Sequence, residues 1–162
     1  MRKTVQACLL ILGLMAAVLL MMDSFSVVKT GTGNGATIQW DDNFERFCCE
    51  LAEGCSSDAE RVTVFLNWII QNISYDEESE VLFYQTFHVG KVMQSRKGVC
   101  FDYACLFAAM CRSQGIPCYV LDVTYQGEPA FRHAWNRVFF DGQWWSLDTT
   151  RDHTARKEGG SE

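Results

Sequence analysis

From Cys100 to Gln114 the chain is apolar almost all round; only Asp102 and the terminal Arg112, Ser113 and Gln114 are polar. A helix with no polar face has to lie in the middle of a domain, with other elements wrapped about it. Gly115 ends this segment, and Pro117 prevents its continuation. Any fold for this chain must therefore supply covering layers before and after it. Both are visible in the flanking sequence.

Upstream, Asp41 to Ala52 carries Phe44, Phe47, Cys48 and Leu51 at helical spacing, with Asp41 or Asp42 available as a cap. Ser57 or Asp58 opens a second helix to about Ile73, with Val62, Phe65, Leu66, Ile69 and Ile70 on one face. Tyr75 to Val81 is acidic and reads as a loop. Downstream, Tyr119 to Tyr125 is rich in β-branched and aromatic residues and reads as a strand, and Gln126 to Pro129 as a turn. His133 to Phe140 and Gln143 to Asp148 read as two more strands, joined at Asp141-Gly142, a strong hairpin signal. Helices, then a buried helix, then antiparallel strands give an α+β fold, the buried helix packed on an antiparallel sheet.

The 162 residues suit one domain with a short leader, and a hydrophobic content of 48% is ample for a core. Arg2 and Lys3 precede an uncharged apolar stretch from Val5 to Met22. Residues 1–26 thus read as a signal peptide or an N-terminal membrane anchor, with Ser24-Phe25-Ser26 as a small-x-small cleavage site. Either outcome places the domain outside the cytoplasm. Cys8 precedes the apolar run instead of following it, so a lipoprotein site is rejected. Residues 27–37 read as a flexible linker, 38–152 as the folded domain and 153–162 as a polar, frayed tail. A net charge of −6 without a basic stripe argues against a nucleic-acid partner.

Eight cysteines include Cys8 in the leader. Export permits disulfides among Cys48, Cys49, Cys55, Cys105, Cys111 and Cys118, or these are small buried hydrophobes. The second reading is favoured for Cys105 and Cys111, inside the apolar helix; Cys48, Cys49 and Cys55 are left open. None has metal-ligand spacing with a histidine, so neither a metal nor another cofactor is implied. His88 and His153 carry no motif.

Cys100 is different. It stands at the N-terminus of the apolar helix, where unpaired N–H groups and the helix dipole favour negative charge. The thiolate is the reactive form of a cysteine, and the same N–H groups can bind an oxyanion. Gly98 lets the backbone turn just before it. If the hairpin loop is Asp141-Gly142 alone, facing residues have numbers that sum to 283. His133 then faces Thr150 and Asp148 faces Trp135, which puts His133 and Asp148 on one sheet face as diagonal neighbours about 7–8 Å apart at Cα. A loop one residue longer would put Asp148 on the other face. Cysteine, histidine and aspartate are the parts of a nucleophile, its base and the group that orients the base.

The stretches GVCFDYACLFAAMCRSQGIPCYVLDVTY and HAWNRVFFDGQWWSLDTT resemble the transglutaminase-like superfamily, whose core is similar to that of papain-type cysteine proteases. The resemblance runs from about Ser57 to Thr150. It implies Cys100 as nucleophile, His133 as base and Asp148 as orienting acid. It also suggests Gln94, six positions before Cys100, as an oxyanion donor, beside the plainer reading of a solvated helix residue. Trp135 and Trp144 are site-lining candidates, or core packing. The family's calcium-binding segments have no counterpart here. The expected activity is an exported thiol hydrolase cutting amide bonds through a thioester in a protein, peptide or cell-wall substrate. A crosslinking transamidase and a non-catalytic binding domain of the same fold are the alternatives.

Overall fold

A computed structural model describes residues 37–79, 87–125 and 131–150. The leader, the linker up to residue 36, the expected turn at Gln126 to Pro129 and the tail lie outside them. The elements run β1 (Ile38–Gln39), α1 (Asp42–Leu51), α2 (Asp58–Asn72), β2 (Ser74–Tyr75), β3 (Phe87–His88), α3 (Val89–Ser95), β4 (Lys97–Gly98), α4 (Cys100–Ser113), β5 (Cys118–Tyr125), β6 (Phe131–Phe140) and β7 (Gln143–Leu147).

The local signals act as read. Asp41 caps α1, its Oδ1 accepting from the Phe44 N–H at 2.9 Å. Ser57 caps α2, its Oγ accepting from the Glu60 N–H at 3.2 Å, while the Glu60 carboxylate reaches back to the Ser56 N–H at 2.7 Å. That is a reciprocal arrangement close to a capping box. The inward faces, Phe44 and Cys48 on α1 and Val62, Phe65 and Ile69 on α2, are buried.

α4 is the central element: from Cys100 to Arg112 every residue but Asp102 is buried. Gly115 ends it at φ +76°, where only glycine is free of strain, and the Ile116 N–H closes on the Cys111 carbonyl at 2.9 Å. α1, α2 and α3 pack on one side. The antiparallel sheet β5-β6-β7 packs on the other, as the α+β reading requires. Ala134, Asn136 and Val138 are fully buried on alternate positions of β6.

Asn136 ties sheet to helix. Its Nδ2 donates to the Ala104 carbonyl on α4 at 2.8 Å and to the Tyr119 carbonyl on β5 at 3.4 Å. Two carbonyls facing one amide nitrogen demand a donor there. Asn136→Asp should therefore lower stability by about 1–3 kcal/mol or more, since it leaves buried acceptors opposed; urea unfolding checks this.

Two short parallel pairings escape sequence periodicity, β1 with β3 and β2 with β4. Tyr75, expected in a loop, belongs to the second. Cys48, Cys49, Cys55, Cys100, Cys105, Cys111 and Cys118 are all free thiols. Burial pushes the Cys48 thiol up to about 12 and holds Cys105 and Cys111 well above the ordinary cysteine value. These three are inert packing residues.

Candidate active site

The hairpin turn decides the site. Asp141 (φ 51°) and Gly142 (φ 76°) form the two-residue loop, the left-handed pair of a type I′ turn. The register follows: Asn136 pairs with Leu147 and Phe139 with Trp144, each pair summing to 283. Regular pairing stops there, and Asp148 follows directly. Its Oδ2 meets Nε2 of His133 at 2.6 Å. Oδ1 of the same carboxylate accepts from the Thr150 N–H at 3.1 Å and from the Thr150 hydroxyl at 2.7 Å. Asp148 is thus fixed from behind, by a residue that sequence reading used only as a register mark. The Asx-type turn, Asp followed two residues on by Thr, was the available signal.

Cys100 is the other group that acts on the His133 imidazole. The hydrogen bond to Asp148 is the largest influence on the imidazole and Cys100 the next; burial opposes them, and the net effect raises His133 to about 9. Trp135 stacks beside the ring, centroids 6.1 Å apart and planes 19° from parallel. Imidazole and carboxylate, 15 positions apart along the chain, are in contact at 2.6 Å.

Cys100 is the first residue of α4 and is 2% exposed. The preceding turn is held by Asp102, whose Oδ2 accepts from the Val99 N–H at 2.9 Å; burial raises that carboxyl above the usual range. Gly98 matters for space: a Cβ on it would lie 2.6 Å from Cβ of Asp102. Its φ is not in the left-handed region, so close approach, not free turning, explains the glycine.

Two further site candidates stand elsewhere. Gln94 is exposed on α3, and among the described residues nothing joins it to Cys100. Trp144 lies away from the site: it pairs with Phe139, six positions along β6 from His133, or about 20 Å at strand rise. There it stacks on Tyr119 at 5.0 Å with Arg137 above its ring at 5.7 Å, and packing is its role. Conversely, Tyr75 went unmarked in the sequence, yet it pairs with Gly98, two residues before Cys100, and burial first, then the neighbouring Cys100, raise its phenol above the ordinary tyrosine value. Among the described residues no group of three or more His, Cys, Asp or Glu could hold a metal ion, and no helix is long and apolar enough to cross a membrane.

A cysteine opening a buried helix, met by a histidine and an aspartate from an adjoining antiparallel hairpin, defines the papain-like class of folds. The profile of the transglutaminase-like superfamily matches residues 45–149; the chain belongs to that superfamily. It is 34% identical to the mouse (Mus musculus) kyphoscoliosis peptidase over 113 residues, 62% of this chain and 17% of the relative. The human (Homo sapiens) counterpart is 32% identical over the same length. The chain thus spans less than a fifth of these relatives. Among solved structures, a provisionally assigned cysteine protease from Cytophaga hutchinsonii aligns with a TM-score of 0.60 at 25% identity, covering 74% of this chain and 40% of that one. The periplasmic domain of TgpA from Pseudomonas aeruginosa shares the fold, with a TM-score of 0.56 at 21% identity over 72% of this chain and 44% of that one.

Proposed function

We propose that this chain is a thiol hydrolase of amide bonds, in which Cys100, His133 and Asp148 act together. The observation that carries the reading is the imidazole of His133, held by the Asp148 carboxylate at 2.6 Å, with Cys100 the next largest influence on it. The thiolate of Cys100 attacks the amide carbonyl carbon, and the carbonyl π pair moves onto oxygen. As the tetrahedral adduct collapses, imidazolium His133 protonates the departing amine and a thioester remains. Neutral His133 then takes a proton from water, which attacks the thioester and frees the acid. Asp148, pinned by Thr150, keeps the ring in the productive orientation. The peptidase name of the mouse and human relatives favours hydrolysis. An amine could resolve the same thioester, giving transamidation. The charged start of the leader and its apolar run at 5–22 support an exported or membrane-anchored enzyme, whose substrates are protein, peptide or cell-wall amides.

Incubation with a peptide mixture and with peptidoglycan, each with and without an added primary amine, tests this. New free carboxyl termini with or without the amine mean hydrolysis. Amine incorporated in their place means transamidation. Neither product from any substrate would refute the enzymatic reading.

The pH profile is a second test. Because His133 is raised to about 9 by Asp148 first and Cys100 second, the imidazolium persists through neutrality and activity should fall as pH rises past about 9. The same shift stabilises the fold fully below the ordinary histidine value of about 6.5, a contribution lost as pH rises through about 9. Asp148→Asn removes the main cause, so the alkaline limb should move down towards 6.5 and the plateau should drop by about 10²- to 10⁴-fold.

A further inference from the structure

The sheet β5-β6-β7 has two edges. β5 carries a buried charge, Asp122, 6% exposed, a common guard against stray strand pairing. β7 has no such guard. Its five residues, Gln143–Leu147, include no charge and no proline, and its register with β6 runs without a bulge. All but Leu147 are exposed. The two-residue loop fixes which main-chain groups face outward. Residues flanking such a loop exchange both hydrogen bonds, and bonded and non-bonded pairs then alternate. Phe140–Gln143, Val138–Trp145 and Asn136–Leu147 are thus the bonded pairs. The Phe139 N–H accordingly turns the other way and donates to the Pro117 carbonyl at 2.9 Å. Trp144 and Ser146 therefore direct their N–H and C=O groups away from β6, along the open edge. The indoles of Trp144 and Trp145, 37% and 43% exposed, stand on opposite faces beside these groups. One stacks on Tyr119, the other on Phe140.

We propose that β7 is an exosite, to which an extended, unfolded polypeptide substrate adds as a further strand while one of its amides occupies the site at Cys100. The inference rests on the hydrolase reading above. Strand addition takes its affinity from main-chain hydrogen bonds and so accepts many sequences. Apolar side chains of the guest, alternating above and below, lie on the two indoles. The edge leads to the reacting groups: Leu147, the last residue of β7, is followed by Asp148, whose carboxylate holds His133 at 2.6 Å. A second copy of this protein fits less well. At strand rise β7 is about 17 Å long, and pairing along so short an edge falls well short of the ~1,200 Å² that a stable complex buries. A weak edge site suits an occupant that is also held elsewhere. A substrate is held at the nucleophile, and the two attachments reinforce one another. The edge thus selects polypeptide over cell-wall polymer, because a glycan offers no extended row of amides to match it.

Hydrogen exchange of the full chain carrying Cys100→Ala reads the site without turnover. The probe is ribonuclease A, reduced and carbamidomethylated so that it stays unfolded. Added in excess, it should slow exchange of the Trp144 and Ser146 amides about tenfold or more and leave that of Trp145, already bonded to β6, unchanged. Exchange at Trp144 and Ser146 indifferent to the polypeptide would overturn the proposal. So would protection that grows with protein concentration alone, which would put a second copy on the edge. Ser146→Pro in the otherwise wild-type chain removes an outward N–H and leaves the β6 ladder whole. It should lower kcat/KM for the same polypeptide about tenfold, through KM, with acylation of Cys100 by p-nitrophenyl acetate unchanged. Ser146→Ala keeps the N–H and should match wild type. Equal losses in the proline and alanine variants, or no loss in a folded proline variant, would count against strand addition. Protection of the two amides in a protein that cleaves nothing would leave the polypeptide site standing and sink only the hydrolase reading.

Discussion

Replacing Cys100 with alanine should abolish turnover, with a loss of roughly 10⁴- to 10⁶-fold, while the protein stays folded. The expectation has two parts. Without sulfur there is no thioester route: water would have to attack the amide directly, and His133 would have no thiolate to pair with. Only substrate binding and the oxyanion donors would remain, and these account for the small residual activity. The structural cost is minor, because a single Sγ is removed from the start of a helix whose other buried residues, Phe101 to Arg112 apart from Asp102, are untouched. Losing one buried atom group costs about 1 kcal/mol. Amide hydrolysis at the wild-type rate in a folded Cys100→Ala protein would show that the chemistry lies elsewhere.

The second large effect is expected away from the reacting atoms. Gly98→Ala adds one methyl group at a point where a Cβ would stand 2.6 Å from Cβ of Asp102 and 3.1 Å from its Oδ2. Real Cβ atoms do not approach so closely, and the contact is with the root of a helical side chain, which cannot swing aside. Either Asp102 gives up the Val99 N–H it now holds at 2.9 Å, or the start of α4 moves away from β4. The cost should be about 1–3 kcal/mol. Activity should fall by more than stability suggests, because the backbone that moves carries Cys100 and pairs with Tyr75. Denaturant unfolding and p-nitrophenyl acetate acylation, measured on one preparation, check both parts. An alanine variant equal to wild type in both would mean that the helix start is far more pliable than its contacts imply.

Much of this site was legible because its strongest determinants are local. Twelve buried residues of α4 follow from an uninterrupted apolar run. The His133–Asp148 contact follows from a loop of exactly two residues, since a period-2 strand converts loop length into a choice of face. Asp-Gly fixes that length by tolerating positive φ at both positions. What stayed hidden depends on contacts with no period. Tyr75 sits in a two-residue parallel pairing, too short to imprint alternation, and its neighbour Gly98 lies 23 positions later in the chain. Gly98 could be read as a place of free turning, but only coordinates reveal the carboxylate pressed against it. Trp135 and Trp144 look alike in sequence, both aromatic and both near the hairpin. The register separates them, one beside His133 and one near the turn. The free state of the cysteines was likewise undecided by spacing, because pairing depends on which thiols the fold brings together.

The central claim is that one imidazole answers to two partners, the Asp148 carboxylate first and the Cys100 sulfur second. Proton titration of ¹⁵N-labelled His133 by NMR measures this directly, in wild type and in the Cys100→Ala and Asp148→Asn variants. The account predicts a midpoint near 9 in the wild type, lowered in both variants and lowered more by Asp148→Asn, since the carboxylate is the larger influence. A midpoint near 6.5 in all three proteins would mean that the ring touches neither partner in solution, and would contradict it.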